Sequence, residues 1–306
     1  MSAPVRVVFL AGVGRSGTTL VERTLAEVDG VTALGEVMHL WDRGLVRGEL
    51  CGCGAPFRDC PFWHEVGELA FGGWDHVDAA RMAHLKARVD RATRVPAVAS
   101  GRPRSLAAEV REYADHYVRL YRAASELTGG VVVDSSKQVS LAWCLQTRPE
   151  IDLRVVHCVR DSRGVAYSWS KDVARPEAVS EEYGRMPRYS APAVSALWLL
   201  HNAEIEALRR RVPVQRLRYE DFVADPARVT RDVLELAEVD APVDHVGADT
   251  ILLGSSHSCA GNPMRFRTGA VPVRADEAWR ASAPHRQRRA VTALTAPLLA
   301  RYGYPL

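Results

Sequence analysis

The chain has 306 residues, 47 % of them hydrophobic and 25 % charged, with a net charge of +3 and a pI near 8.6. That balance fits a globular enzyme with a sizeable core and is too mildly basic to argue for nucleic acid. No apolar run approaches the roughly 20 residues that a membrane span requires, so a cytoplasmic protein with no membrane or nucleic-acid partner is expected.

Residues 5–11 (VRVVFLA) have the β-branched density of a buried parallel strand, not of a signal h-region. They run into Gly12-Val13-Gly14-Arg15-Ser16-Gly17-Thr18-Thr19-Leu20, after which helical spacing resumes. Strand, glycine-rich turn and helix start aim backbone N–H groups and a helix dipole at a phosphate. The pattern nearly fits the triphosphate loop G-x-x-x-x-G-K-[ST], but Thr18 stands where the lysine belongs. Arg15 supplies a guanidinium just before Gly17. Such a loop holds a phosphate without the cation that reaches a transferable γ-phosphate.

Further strands are expected at 31–34, 131–133, 153–159 and 214–217. They end at Gly35-Glu36, at Asp134-Ser135-Ser136-Lys137, at Arg160-Asp161 and at Arg218-Tyr219-Glu220-Asp221. Helical spacing covers 18–28, 79–93, 105–127, 139–146, 164–173, 191–211, 226–236 and 285–302. Alternation of this kind predicts one three-layer α/β domain spanning 1–306, with a central parallel sheet of about five strands flanked by helices. The strand tips should converge on a ligand crevice. Two stretches break the alternation. Residues 48–104, rich in Gly, Pro, Trp and Arg, read as an insertion that could form a lid on the substrate side, and 240–276 as a second loop-rich zone. Trp41, Phe57, Phe62, Trp63, Phe71 and Trp74 would suit an aromatic acceptor, although core packing accounts for them equally well.

Cys51, Cys53, Cys60 and His64 form a C-x-C-x6-C-x3-H cluster within the insertion. C-x-C is not the usual spacing of a tetrahedral zinc site, so a metal site, a local disulfide and free thiols all stay open. Cys144, Cys158 and Cys259 read as packing residues.

The second dense motif is His157-Cys158-Val159-Arg160-Asp161-Ser162-Arg163-Gly164-Val165-Ala166-Tyr167-Ser168-Trp169. Ser168 falls about two helical turns beyond Arg160 and can face back toward it. A guanidinium with a hydroxyl donor suits a dianionic phosphate monoester. The competing reading makes Arg160 an ion-pair partner of Asp161 and leaves Ser168 on a helix surface.

At this point the chain resembles the PAPS-dependent sulfotransferases, in particular their bacterial branch. GRSGTTL resembles their 5′-phosphosulfate loop, VRDSRGVAYSW their 3′-phosphate motif, and residues 255–267 (SSHSCAGNPMRFR) a C-terminal cofactor-binding segment. The resemblance implies a P-loop-like fold, PAPS as co-substrate and PAP as product. The 5′-phosphosulfate would be held by Gly14, Arg15, Ser16, Gly17, Thr18 and Thr19. Arg160 and Ser168 would hold the 3′-phosphate, joined by Arg265 and Arg267, with Asn262 in the same segment; the competing role for the two later arginines is a solvated basic turn. Trp143, Trp169 and Trp198 are candidates to stack on adenine, though core packing is the simpler role for each.

Glu36 is the candidate base, because in the similar tyrosylprotein and carbohydrate sulfotransferases a glutamate in this region takes that role. The competing roles are an N-cap for Glu36 and, for Lys137, an ion pair with Asp134. Lys137 is the candidate cation for the leaving group, sharing its charge with Arg15. The chain departs here from the cytosolic aryl sulfotransferases, which carry a lysine in the loop and a histidine base after the third strand. His39, His157 and His201 are held in reserve, His157 reading as structural. No metal is required, since the sulfuryl group carries less charge than a phosphoryl group. A P-loop small-molecule kinase and a non-catalytic nucleotide-binding protein are the alternatives. The acceptor, a small-molecule or saccharide hydroxyl, and the oligomeric state are not fixed by the sequence.

Overall fold

The computed structural model describes residues 3–174 and 184–306. Strand β1 (Val5–Gly12) lies at the centre of the sheet, with Val7 through Ala11 at most 1 % exposed. Its chain continues through α1 (Thr18–Leu25) to β2 (Val31–Gly35) at one edge. A long excursion follows through α2 (Pro61–Phe71), α3 (Ala79–Val89), α4 (Val95–Ser100) and α5 (Arg104–Thr128) before β3 (Val131–Lys137). Then come α6 (Val139–Leu145), β4 (Ile151–Val159), α7 (Ser162–Ser170), α8 (Ala191–Leu208) and β5 (Val214–Arg218). After α9 (Tyr219–Ala224) and α10 (Pro226–Ala237), β6 (Thr250–Leu253) and β7 (Gly269–Pro272) pair antiparallel. The chain closes with α11 (Ala278–Ser282) and α12 (His285–Arg301).

The five strands run in the order β2-β3-β1-β4-β5, all parallel. The covering of both sheet faces follows from the composition of the central strand. Strand period is two, so Val7 and Phe9 leave β1 on one face and Val8 and Leu10 on the other. Val7 and Phe9 pack with Tyr117, Tyr121, Leu141 and Leu208 of α5, α6 and α8. Val8 and Leu10 pack with Val21, Leu25, Val229 and Val233 of α1 and α10. Each such side chain contributes about 1.5–3 kcal/mol when fully buried. The expected three-layer α/β architecture is therefore present.

Within the insertion, where helical spacing was expected only at 79–93, the structure adds helices at 61–71 and 95–100. The insertion is largely helical, and it packs against α5 through Phe57, Trp63, Val66, Met82 and Leu85. Trp41 Nε1 donates to Tyr117 Oη at 3.0 Å and Trp74 Nε1 to the Trp63 carbonyl at 2.8 Å, so these rings serve the core. No helix among the described residues is long and apolar enough to cross a membrane.

Candidate active site at the strand tips

The carboxyl ends of β1 to β4 open into a cleft of about 810 Å³. Its floor is the turn between β1 and α1. Gly17 adopts φ +84°, and a Cβ there would sit 2.5 Å from the Tyr219 ring, so both the turn and its close neighbour require glycine. Gly14 is pressed in the same way, with a Cβ only 2.7 Å from the Trp169 ring, while Trp169 Nε1 donates to the Gly14 carbonyl at 3.0 Å. Thr18 and Thr19 line the cleft at the start of α1, where the helix dipole is positive.

Arg15 holds a left-handed φ of 77° and reaches into the cleft, its guanidinium 5.2 Å over the Trp169 ring and donating to Met186 Sδ at 2.9 Å. Burial lowers its pKa and the Glu36 carboxylate opposes that shift. Arg15 Nε and Ser16 Oγ are both buried without a hydrogen-bond partner. Two unsatisfied donors in one glycine-rich turn are what an anion-binding loop presents. Ser16 itself, 1 % exposed, lies behind the loop and not on the cleft wall.

Glu36 and Lys137 stand at the adjacent tips of β2 and β3. Lys137 Nζ donates to Glu36 Oε1, and both side chains are under 15 % exposed. Glu36 holds the N-cap position of a short 3₁₀ turn, yet its carboxylate makes no capping bond. Its backbone N–H donates instead to the Cys259 carbonyl at 2.8 Å, and His39 Nε2 lies 3.7 Å from Oε2. Lys137 does not pair with Asp134, which accepts from Tyr121 Oη at 2.5 Å and from the Ser136 N–H at 2.7 Å.

Arg160 follows β4 and is 5 % exposed. It lies 4.5 Å over the Tyr219 ring, donates to the Arg15 carbonyl at 3.1 Å, and contacts Asp276 Oδ2 at 3.1 Å. Asp161 is paired with Arg163 instead, at 2.7 Å, and caps α7 by accepting from the Arg163 N–H. Burial alone would raise the Asp276 carboxyl, but the hydrogen bond and charge of Arg160, with Lys171, hold it below the usual range. Ser168 is half-buried on α7 and lines the same cleft as Arg160.

The far rim is the segment before β7. Asn262 caps a 3₁₀ turn by accepting from the Met264 N–H at 3.0 Å, and Asn262, Met264 and Arg267 line the cleft. Arg265 does not. It is 1 % exposed and donates to the Ser258 and Leu50 carbonyls, each at 2.8 Å, so its expected place in a phosphate site is corrected to a buried strut. No residue between 48 and 104 is among those that line the cleft. Trp143 and Trp198 are buried and donate to the Glu204 and Arg160 carbonyls. Of the three tryptophans considered for adenine, Trp169 alone is in the cleft wall.

Sequence reasoning placed Tyr219 at a strand tip without a role, and assigned nothing to Asp276 or Arg23. Arg23, 0 % exposed on α1, donates to the Gly254 carbonyl at 2.5 Å, to the Arg267 carbonyl at 3.2 Å and to that of Arg265. His157 is buried, with Nε2 2.6 Å from Asn202 Oδ1, and burial lowers its pKa to about 4, as befits a structural residue.

A family model described as "Sulfotransferase family" matches residues 7–243. Among curated proteins, none is similar enough to count as a match. Among solved structures, the sulfotransferase domain of the Synechococcus PCC 7002 olefin synthase superposes with a TM-score of 0.56 at 20 % identity, over 100 % of this chain and 97 % of that one. Sulfotransferase STF9 from Mycobacterium avium gives 0.48 at 13 % identity over 100 % and 79 %. A sulfotransferase from Alicyclobacillus acidocaldarius gives 0.44 at 14 % over 100 % and 98 %.

Proposed function

Since the chain belongs to the sulfotransferase family, we propose that it moves a sulfuryl group from PAPS to a hydroxyl of a small-molecule or saccharide acceptor, with Glu36 as the base. The observation that carries this reading is the Glu36–Lys137 pair, a buried carboxylate and cation facing the glycine-rich turn across one cleft. The unpartnered Nε of Arg15 supports an anion on that turn, and Arg160 with Ser168 supports a second anionic group.

PAPS would supply the activated sulfuryl group and release PAP. Gly14, Arg15, Gly17, Thr18 and Thr19 would bind its 5′ end, where loop amides and the α1 dipole favour negative charge. Arg160 and Ser168 would bind the 3′-phosphate, with Asn262 and Arg267 closing the rim. Glu36 accepts the acceptor's hydroxyl proton as the oxygen bonds to sulfur, and Lys137 with Arg15 offsets charge on the departing phosphate oxygen. Before that step Lys137 must release Glu36, so acceptor and donor together divide the pair that they find joined.

Glu36→Gln is expected to leave PAP affinity within about twofold and to lower kcat by roughly 10²–10⁴-fold, the usual reach of a positioned base. Turnover near the wild-type value would remove Glu36 from the role. Calorimetric titration with PAP, against ATP and Mg²⁺, tests the donor class. Preference for ATP would favour a kinase. Labelled PAPS offered with a metabolite pool, followed by mass spectrometry, would identify the acceptor.

A further inference from the structure

The cysteines that cluster in the sequence meet in space with a partner that their spacing does not offer. Cys51, Cys53, Cys60 and His257 bring their ligand atoms within 4.8 Å of one another. Cys53 Sγ is 3.7 Å from Cys60 Sγ, and His257 Nδ1 is 3.2 Å from Cys60 Sγ and 3.9 Å from Cys51 Sγ. A tetrahedral ion bound at about 2.3 Å by sulfur and about 2.0 Å by nitrogen has S···S edges of about 3.8 Å and S···N edges of about 3.5 Å. The S···S distance matches, and the two S···N distances bracket their ideal within about 0.4 Å.

We propose that Cys51, Cys53, Cys60 and His257 form a closed zinc site that fastens the insertion to the segment forming the cleft rim.

The donors are placed by contacts of their own. A tight turn, with the Gly54 N–H donating to the Cys51 carbonyl at 2.9 Å, folds Cys53 back beside Cys51 and so makes C-x-C spacing workable. Cys60 immediately precedes α2, whose Trp63 donates from Nε1 to the His257 carbonyl at 2.8 Å. The Phe62 ring stacks on the imidazole at 5.1 Å. The Gly52 N–H donates to the Ser258 carbonyl at 3.0 Å, and Arg265 bridges Leu50 to Ser258. Two stretches 197 residues apart are thus aligned by bonds that involve no metal.

The chemistry of the set selects the ion. Three thiolates and an imidazole are soft to borderline donors, suited to zinc and not to magnesium or calcium. The donor atoms are too close together to surround a multi-iron cluster. Four protein ligands leave no open position, which marks a structural site and not a catalytic one. Burial raises the Cys51 and Cys60 thiols, while the backbone N–H groups of Cys53 and Trp63 point at those sulfurs and favour thiolate. Loading zinc sends the thiol protons to solvent and changes no oxidation state. A disulfide is the rival use of the same sulfurs, although 3.7 Å is far beyond the bonded distance of about 2.05 Å.

The full-length protein, purified without chelator, is expected to carry about one zinc per chain by plasma mass spectrometry. Cobalt(II) in its place should give the intense visible bands and sulfur-to-metal charge transfer of a tetrahedral thiolate site. Cys53→Ser and His257→Ala should each reduce retained zinc roughly tenfold or more, whereas His64→Ala should retain it. Alkylation mapping of the wild type gives a reading that does not depend on the variants folding: Cys51, Cys53 and Cys60 should be protected until a chelator is added. Wild type that takes up neither zinc nor cobalt would overturn the site. So would a disulfide among these cysteines in unreduced protein, or zinc lost with His64→Ala and kept with His257→Ala.

Discussion

The two anion seats proposed for the cleft are built in opposite ways. The turn after β1 leaves a donor unused: Arg15, which lines the cleft, has its Nε buried with no partner. The seat after β4 is already satisfied, because Arg160 is engaged by the Asp276 carboxylate and the Arg15 carbonyl. An unsatisfied buried donor raises the energy of the ligand-free protein and gives an incoming anion its full interaction. A guanidinium holding an internal carboxylate is stable alone, and an incoming phosphate must displace or tolerate that carboxylate. On the proposed binding mode, the first seat would favour affinity and the second would favour discrimination between ligands with and without a further phosphate.

The largest test of this contrast is Arg160→Ala. PAP affinity should fall by about 2–5 kcal/mol, the scale of removing one partner from a buried charged pair, while 5′-AMP, which lacks the 3′-phosphate, should be affected far less. Equal losses for both ligands in calorimetry would break the distinction between the seats. A somewhat smaller effect concerns β4, the strand that delivers Arg160. His157 on that strand has its pKa lowered by burial to about 4. The unfolded chain binds this proton at higher pH, so His157 subtracts stability as pH falls from about 6.5 toward 4, reaching roughly 3 kcal/mol. Glu204, raised to about 7 by burial, works in the opposite sense over part of that window. The informative quantity is therefore the difference between the wild type and His157→Gln in denaturant midpoints across pH, and the variant's acid arm should be flatter. Parallel curves would remove the assignment. The smallest effect has the opposite sign. Asp276→Asn should tighten PAP binding by about 1 kcal/mol or less, since a half-exposed pair is weak. Weaker binding in that variant would mean that Asp276 assists the phosphate instead of standing in for it.

The strands and the glycine-rich turn were legible because local pattern decides them. β-Branched runs that stop at polar residues mark both a buried parallel strand and its tip, and so Glu36, Lys137 and Arg160 could be placed at strand tips. Helix α2 was not legible, since its sequence PFWHEVGELAF mixes aromatics with an internal glycine, and it is held by tertiary packing on α5. Arg265 shows the limit of motif reading. Its place in the segment was evident, but the direction of its side chain depends on the carbonyls of Leu50 and Ser258, which no spacing reveals. The same limit explains Lys137, whose partner proved to be Glu36 on the next strand and not the near Asp134. His64 had the local spacing to join the cysteines, yet His257 was brought to them by the fold.

Arg23 has a mechanical consequence. One guanidinium on the helix that begins at the glycine-rich turn grips the backbone at Gly254, Arg265 and Arg267. Floor and far rim are thereby pinned to a common axle. A displacement of the turn would therefore be felt at the opposite wall through one side chain.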